Sequence, residues 1–227
     1  MNIPELPAEK VRQLAHDIET KGVACICNYL PKADLERMQR FVNGTIAQRG
    51  REYVHFNGPD AVRGSGLEEL AHDPRFVRLM HDLYRCGTGN PPVKAEFYQV
   101  LRCLAGNSGR KNSLIFHYDS YVVTALVPIL IPKEGLSGDL LLYPNTRRIR
   151  AAYLFNAIDK VLLDNPVTQG VLRACVNRNG VGPLRVKMMP GNIYFFWGYR
   201  SIHTNEPCDA DKVRATAIFH YANPHRN

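Results

Sequence analysis

From about residue 93 the chain stops repeating at helical spacing and breaks into short β-forming segments divided by Gly, Pro and Asn. This change of period narrows the fold more than any other feature. The segments are "VKAEFYQVLRCLAG", "SLIFHYDSYVVTALVPILIP", "GDLLLYP", "LRVKMMPG", "NIYFFWGY" and "VRATAIFHYA". Before them, "LPAEKVRQLAHDIETKG" spaces Val11, Leu14, Ala15 and Ile18 on one helical face, with Gly22 as a stop signal. "VACICNYL" reads as a short strand. Pro31 then opens a second helix with Leu35, Met38, Phe41, Val42 and Ile46 on its apolar side. The turn-rich "HFNGPDAVRGSG" leads to two further helical stretches, "LEELAH" and "DPRFVRLMHDLYRC".

Helices followed by many short strands, without βαβ alternation, predict an α+β fold with an antiparallel barrel or jelly roll and the helices packed outside it. One helical insertion, at about 146–178, interrupts the strands. A single domain over 1–227 is expected, mainly helical in 1–92 and β-rich in 93–227. With 45% hydrophobic and 22% charged residues the chain has the material for a sizeable core. No apolar run approaches membrane-spanning length and no apolar stretch precedes the first charges, so neither a span nor a secretory signal is expected. The six cysteines form no C-x-x-C, which suggests reduced thiols in a cytoplasmic protein.

The net charge of +8 is uneven. Between 145 and 187, Arg147, Arg148, Arg150, Lys160, Arg173, Arg178, Arg185 and Lys187 face only Asp159 and Asp164, so this segment carries +6 of it. Such a segment permits an anionic partner without choosing one.

Of the eight histidines, only His117 has an Asp two residues on. Period-two geometry sends His117 and Asp119 to the same side of a strand, or around its end, where they can chelate one ion. His16, His72 and His81 each directly precede an Asp in helical segments, where neighbouring side chains diverge by about 100°. His203 follows "NIYFFWGY" just before a turn. Eleven residues later Arg214 opens an apolar strand, with Thr216 on its face. A guanidinium among Val, Ala, Ile and Phe is costly unless it meets an anion.

The order H-x-D, distal His, then R-x-T resembles the Fe(II)/2-oxoglutarate-dependent dioxygenases. "HDIETKGVACICNYLPKADLERM", "FHYDSYVVTALVPILIP" and "MMPGNIYFFWGYRSIHTNEP" are most similar to the phytanoyl-CoA dioxygenase branch. The resemblance implies a double-stranded β-helix (cupin-like jelly roll) core. It further implies that His117, Asp119 and His203 bind Fe(II), while Arg214 and Thr216 hold the distal carboxylate of 2-oxoglutarate. With O2 as second cosubstrate, such a site oxidises a substrate C–H and releases succinate and CO2. Asp119 occupies the position that halogenating relatives leave open, which favours hydroxylation or a related oxidation.

On the strand before the metal segment, alternation puts Phe97 and Gln99 on one side, Tyr98 and Arg102 on the other. One set is expected to face the cavity, with Tyr98 or Gln99 against 2-oxoglutarate or substrate. Phe97, Arg102, Tyr121 and Trp197 are candidates for the substrate pocket, Arg102 for an anionic substrate. His220 reads as a strand histidine with an ordinary hydrogen bond. "HFNGPDAVRGSG" and the insertion are expected to cover the site. Leu154, Phe155, Ile158, Val161 and Leu162 imply that part of the insertion is buried, against the barrel or a second subunit. A small-molecule substrate suits this short chain, with nucleic acid less so. Two alternatives stand beside it: the same chemistry on a carrier-tethered, protein or nucleic-acid substrate, and a non-redox jelly-roll binding protein.

Overall fold

The structure is a computed structural model that describes residues 1–50, 52–150 and 152–225. Ala151 in the expected insertion and Arg226 and Asn227 at the end of the expected domain lie outside the described residues. In chain order the elements are α1 (Ala8–Lys21), β1 (Ala24–Ile26), α2 (Lys32–Arg49), β2 (Val54–Asn57), α3 (Leu67–His72), α4 (Pro74–Thr88), β3 (Tyr98–Ala105), α5 (Gly106–Lys111), β4 (Val123–Leu130), β5 (Leu140–Tyr143), α6 (Tyr153–Asp164), α7 (Pro166–Cys175), β6 (Leu184–Val186), β7 (Ile193–Phe196), β8 (Ile202–Asn205) and β9 (Val213–Tyr221). Local chemistry sets several boundaries. Gly22 ends α1 at φ 90°, its N–H donating to Ile18 O. Asp73 and Asn165 cap α4 and α7, each followed by Pro at the first helical position.

All strand pairs are antiparallel, in a six-stranded sheet of order β1-β7-β4-β9-β3-β2 and a three-stranded sheet of order β6-β5-β8. This is the expected jelly roll. Alternation divides the large sheet cleanly. Leu101, Cys103, Val123, Ala125, Val127, Phe195, Ala215, Ala217 and Phe219 point towards the helices. There they join Ile18, Met38, Val42, Phe76, Met80 and Leu83 in one continuous core. Truncating a fully buried aromatic in it, such as Phe219, costs about 3–5 kcal/mol. The opposite row, including Val100, Arg102, Thr124, Leu126, Arg214, Thr216, Ile218 and His220, lines a cavity between the sheets.

Two expectations need correction. Residues 55–57, read as the start of a turn-rich stretch, belong to a strand: Val54–Asn57 pairs with β3 as the sheet's edge strand. The apolar stripe of the insertion is also not buried against the barrel, one of the two placements expected. Leu154, Phe155, Ile158, Val161 and Leu162 are exposed, whereas Asn156, Leu163 and Gln169 are buried. Hydrogen bonding explains the inversion, because Asn156 and Gln169 satisfy buried groups that leucine could not. Part of the charge of the +6 segment is neutralised within the fold. Arg147 is buried, Arg147 and Arg150 share Asp159, and Arg185 pairs with Glu206. Among the described residues no helix is long and apolar enough to cross a membrane.

Candidate metal centre and its cavity

His117 and Asp119 lie just before β4 rather than within it, in a segment that runs beside β8. His117 and His203 form a reciprocal backbone pair, each N–H donating to the other's carbonyl at 3.0 Å. Residues paired in this way lie directly opposite each other, and their ring centroids are 4.3 Å apart. Asp119 is drawn in by its own N–H, which donates to Gly198 O at 3.1 Å. His117 Nε2 lies 3.8 Å from Asp119 Oδ1, and His203 Nε2 lies 3.4 Å from it. One ligand atom from each residue falls within 4.8 Å of the others.

The groups behind these three side chains aim them. His117 Nδ1 donates to Ile115 O at 3.0 Å and His203 Nδ1 to Ser201 O at 3.1 Å, which leaves both Nε2 lone pairs facing the centre. Thr124 Oγ1 donates to Asp119 Oδ2 at 2.6 Å, and His220 Nδ1 lies 3.1 Å from Thr124 Oγ1. Asp119 therefore turns Oδ1 towards the two imidazoles. Two neutral imidazoles and one carboxylate on one face, with open positions, form the donor set that suits non-haem Fe(II).

Gly198 completes this arrangement, since a Cβ there would overlap Thr124 Oγ1 and Asp119 Oδ2. Gly198→Ala is therefore expected to lower divalent-metal affinity about 10–100-fold, the cost of disturbing an orienting shell, measured by calorimetric titration with Mn(II). Unchanged affinity would show that Asp119 need not hold this position.

The insertion holds the metal segment from outside. Arg173 Nε donates to Leu114 O at 3.0 Å, and Gln169 pairs with both the N–H (3.0 Å) and the carbonyl (2.8 Å) of Phe116. Arg147 lies 3.8 Å over the Tyr118 ring, and Lys160 Nζ donates to Ser120 Oγ at 2.8 Å. Every second residue is gripped, and the alternate ones, His117 and Asp119, face inward. Leu114 takes a φ of 55°, uncommon for a leucine, with its N–H donating to Asn205 O.

Charge divides the two histidines. Burial, reinforced by repulsion from His203, pushes His117 down to about 4. Burial also disfavours the charged form of His203, but the Asp119 carboxylate outweighs it and raises that pKa above the ordinary value. Asp119 is itself buried, yet the imidazoles of His203, His220 and His117 hold its carboxyl well below the usual range. Where His203 carries its second proton, metal must displace it, while His117 is already neutral. Affinity should be full at high pH and fall as pH drops through the raised His203 pKa. The expected slope is about one proton per ion, read from calorimetry in buffers of different ionisation enthalpy; a two-proton slope would contradict the division.

The cavity holds about 330 Å³, within the range of ligand sites. Arg214 and Thr216 line it with the triad. Arg214 is 6% exposed and has an unpartnered Nε; the Thr216 hydroxyl is unpartnered as well. Burial, followed by the Arg102 charge, pushes Arg214 down to about 10. Tyr98 and Arg102 also line the cavity. Phe97 and Gln99 do not: they face the helices, Phe97 packing on Phe76 and Phe219, so the expectation that Gln99 touches cosubstrate is withdrawn. Trp197 is likewise outside, buried with its Nε1 donating to Glu19 and its ring against Gly87. Tyr121 stacks on Tyr98 and His220, beside the cavity rather than in its lining. Tyr53, His55 and Asn57 line the cavity, and the sequence reading missed them. The polar–apolar alternation of "YVHFN" was the available signal.

No family model matches the chain, and no curated protein matches it. Solved structures do. The non-heme alpha-ketoglutarate-dependent carbocyclase SnoK from nogalamycin biosynthesis is similar at 15% identity, with a TM-score of 0.61 over 96% of this chain and 86% of that one. A Trichoplax adhaerens prolyl hydroxylase in complex with a hypoxia-inducible-factor peptide gives 13% identity and a TM-score of 0.59 over 95% and 90%. The epimerase SnoN in complex with Fe3+, alpha-ketoglutarate and nogalamycin RO gives 13% and 0.59 over 96% and 85%. At these identities the likeness establishes the fold: the jelly roll of the 2-oxoglutarate-dependent oxygenases.

Proposed function

We propose that this chain is an Fe(II)- and 2-oxoglutarate-dependent oxygenase that hydroxylates, or otherwise oxidises, an unactivated C–H bond of a small molecule, releasing succinate and CO2. The observation that carries the reading is Arg214, a buried guanidinium without a carboxylate partner among the described residues, in the same cavity as the convergent His117, Asp119 and His203. A buried cation of this kind calls for an anion, and 2-oxoglutarate is a diacid that needs both a metal and a distal cation.

His117 Nε2, Asp119 Oδ1 and His203 Nε2 would hold Fe(II) on one face. Arg214 would pair with the distal carboxylate and Thr216 would donate to it. When bound, Fe(II) and 2-oxoglutarate supply the oxidative decarboxylation that activates O2. The chain contributes placement. The paired backbone of His117 and His203 fixes the imidazoles, Thr124 turns Asp119, and Leu126, Leu140 and Ile218 exclude water from the cavity wall. Asp119 fills the position that a halide would need, so C–H oxidation is favoured over halogenation.

Within the superfamily, the opening helix–strand–helix and the Gly-marked turn before His203 favour the phytanoyl-CoA dioxygenase branch. The continuous core favours one domain, and six free thiols favour a reducing, cytoplasmic setting. The reading is tested by loading the protein anaerobically with Fe(II) and titrating 2-oxoglutarate. A weak visible absorption band is expected to appear, with succinate formed on admitting O2; no band and no 2-oxoglutarate binding would leave a non-redox binding protein in its place.

A further inference from the structure

We propose that the second arginine of the cavity, Arg102, is the recognition point for the organic substrate, and that this substrate is a small carboxylate. The inference rests on the oxygenase reading and specifies the substrate class of that same site.

Arg102 stands in the middle of the cavity-facing row of the large sheet, directly opposite His55 on β2 and Thr216 on β9. Arg214 pairs with Leu104 on the same face, two residues further along β3. The two guanidiniums are thus neighbours. Asp119 is the one acidic residue among the described residues of the lining, and its carboxylate is already engaged by Thr124 and the imidazoles. Arg102 has only a phenol: its Nε donates to Tyr53 Oη at 3.3 Å, and its guanidinium lies 5.8 Å from that ring. Arg102 lines the cavity, and none of the described carboxylates forms an ion pair with it. By contrast, Arg37, Arg75, Arg150 and Arg200 elsewhere in the chain each hold a carboxylate.

Charge balance then identifies the ligand. With a divalent ion and 2-oxoglutarate bound, the ion and two guanidiniums would bring four positive charges to the cavity lining, and Asp119 and the dianion three negative ones, while Asp139 acts on Arg214 from outside the lining. One positive charge remains. The diacid would have no third anionic group for Arg102, since one end would serve the metal and the other Arg214. A monoanionic carboxylate balances the site and matches a guanidinium in a bidentate pair. A neutral or cationic substrate would leave Arg102 desolvated without a partner. Tyr53, just before the edge strand β2, and His55 and Asn57 on it, with Tyr98 (44% exposed), frame the approach to it.

The test uses the full chain loaded anaerobically with Fe(II) and 2-oxoglutarate, with pentanoate as probe and pentanamide and pentylamine as controls, read by the visible band and by isothermal calorimetry. Pentanoate should shift the band and bind about tenfold or more tighter than pentanamide, the scale of one charge-assisted pair. In Arg102→Gln that preference should vanish while 2-oxoglutarate affinity stays within about twofold; Arg102→Lys should restore part of it. Equal binding of acid and amide by the wild type would overturn the proposal. So would loss of the band on adding pentanoate, which means displacement of 2-oxoglutarate, or a tenfold loss of 2-oxoglutarate affinity in Arg102→Gln, which assigns the residue to the cosubstrate. If the wild type forms no band before any probe is added, the oxygenase reading itself has failed.

Discussion

Arg214→Met should abolish most 2-oxoglutarate binding and at the same time make the ligand-free protein more stable. Truncating one partner of a buried, hydrogen-bonded charge pair costs about 2–5 kcal/mol, roughly 30-fold to several-thousand-fold in Kd. Without ligand the balance reverses. The Arg214 charge is buried, its pKa is pushed down to about 10, and no described carboxylate pairs with it. A base whose folded pKa is depressed costs stability at every pH below that value, so neutral pH carries the full penalty. Replacing a buried ion by an apolar side chain stabilises by about 1–4 kcal/mol, and each kcal/mol moves Tm by about 2–4 °C at this chain length. Calorimetric titration with 2-oxoglutarate and a thermal melt of the ligand-free protein read the two effects separately. If the variant melts lower and still binds the diacid, Arg214 is structural and the central reading fails.

Asp119→Ala should cost more than any change that merely disturbs aim. Removing a group that orients a metal ligand lowers affinity about 10–100-fold, so removing the ligand itself should exceed that range. Thr124→Val, which keeps Asp119 but removes its 2.6 Å hydrogen bond, should fall within it. The second effect of Asp119→Ala is on His203, whose raised pKa depends on Asp119 opposing burial. Without the carboxylate, burial is opposed mainly by the Ser201 carbonyl, and the His203 pKa should fall. Metal titration with Mn(II) and imidazole NMR across pH measure both. A variant that keeps Mn(II) affinity and the His203 titration would show that Asp119 is not a partner of either.

The architecture was largely legible because alternation and periodicity are local properties. The helical faces of α1 and α2, the stop at Gly22 and the β-rich half all follow from spacing that a neighbour three or four residues away already sets. The side each residue faces at the start of β3 and just before it was legible as two sets, Phe97 with Gln99 and Tyr98 with Arg102. Which set meets the cavity was not, because that depends on where the helices pack. The insertion shows the same limit from the other direction. Its apolar stripe was visible, but Asn156 and Gln169 took the buried positions because Arg147 and the Phe116 backbone needed partners there.

By itself, the sequence determined the residue types and order that make a chelating site conceivable: an H-x-D, a distal His, and an arginine out of place among apolar neighbours. Only the tertiary structure decided that they meet. His117 and His203 are brought face to face by a backbone pair spanning two sheet segments, and Gly198 leaves room for Asp119 beside them. Those are long-range contacts, and a pattern read along one chain carries no distance across it.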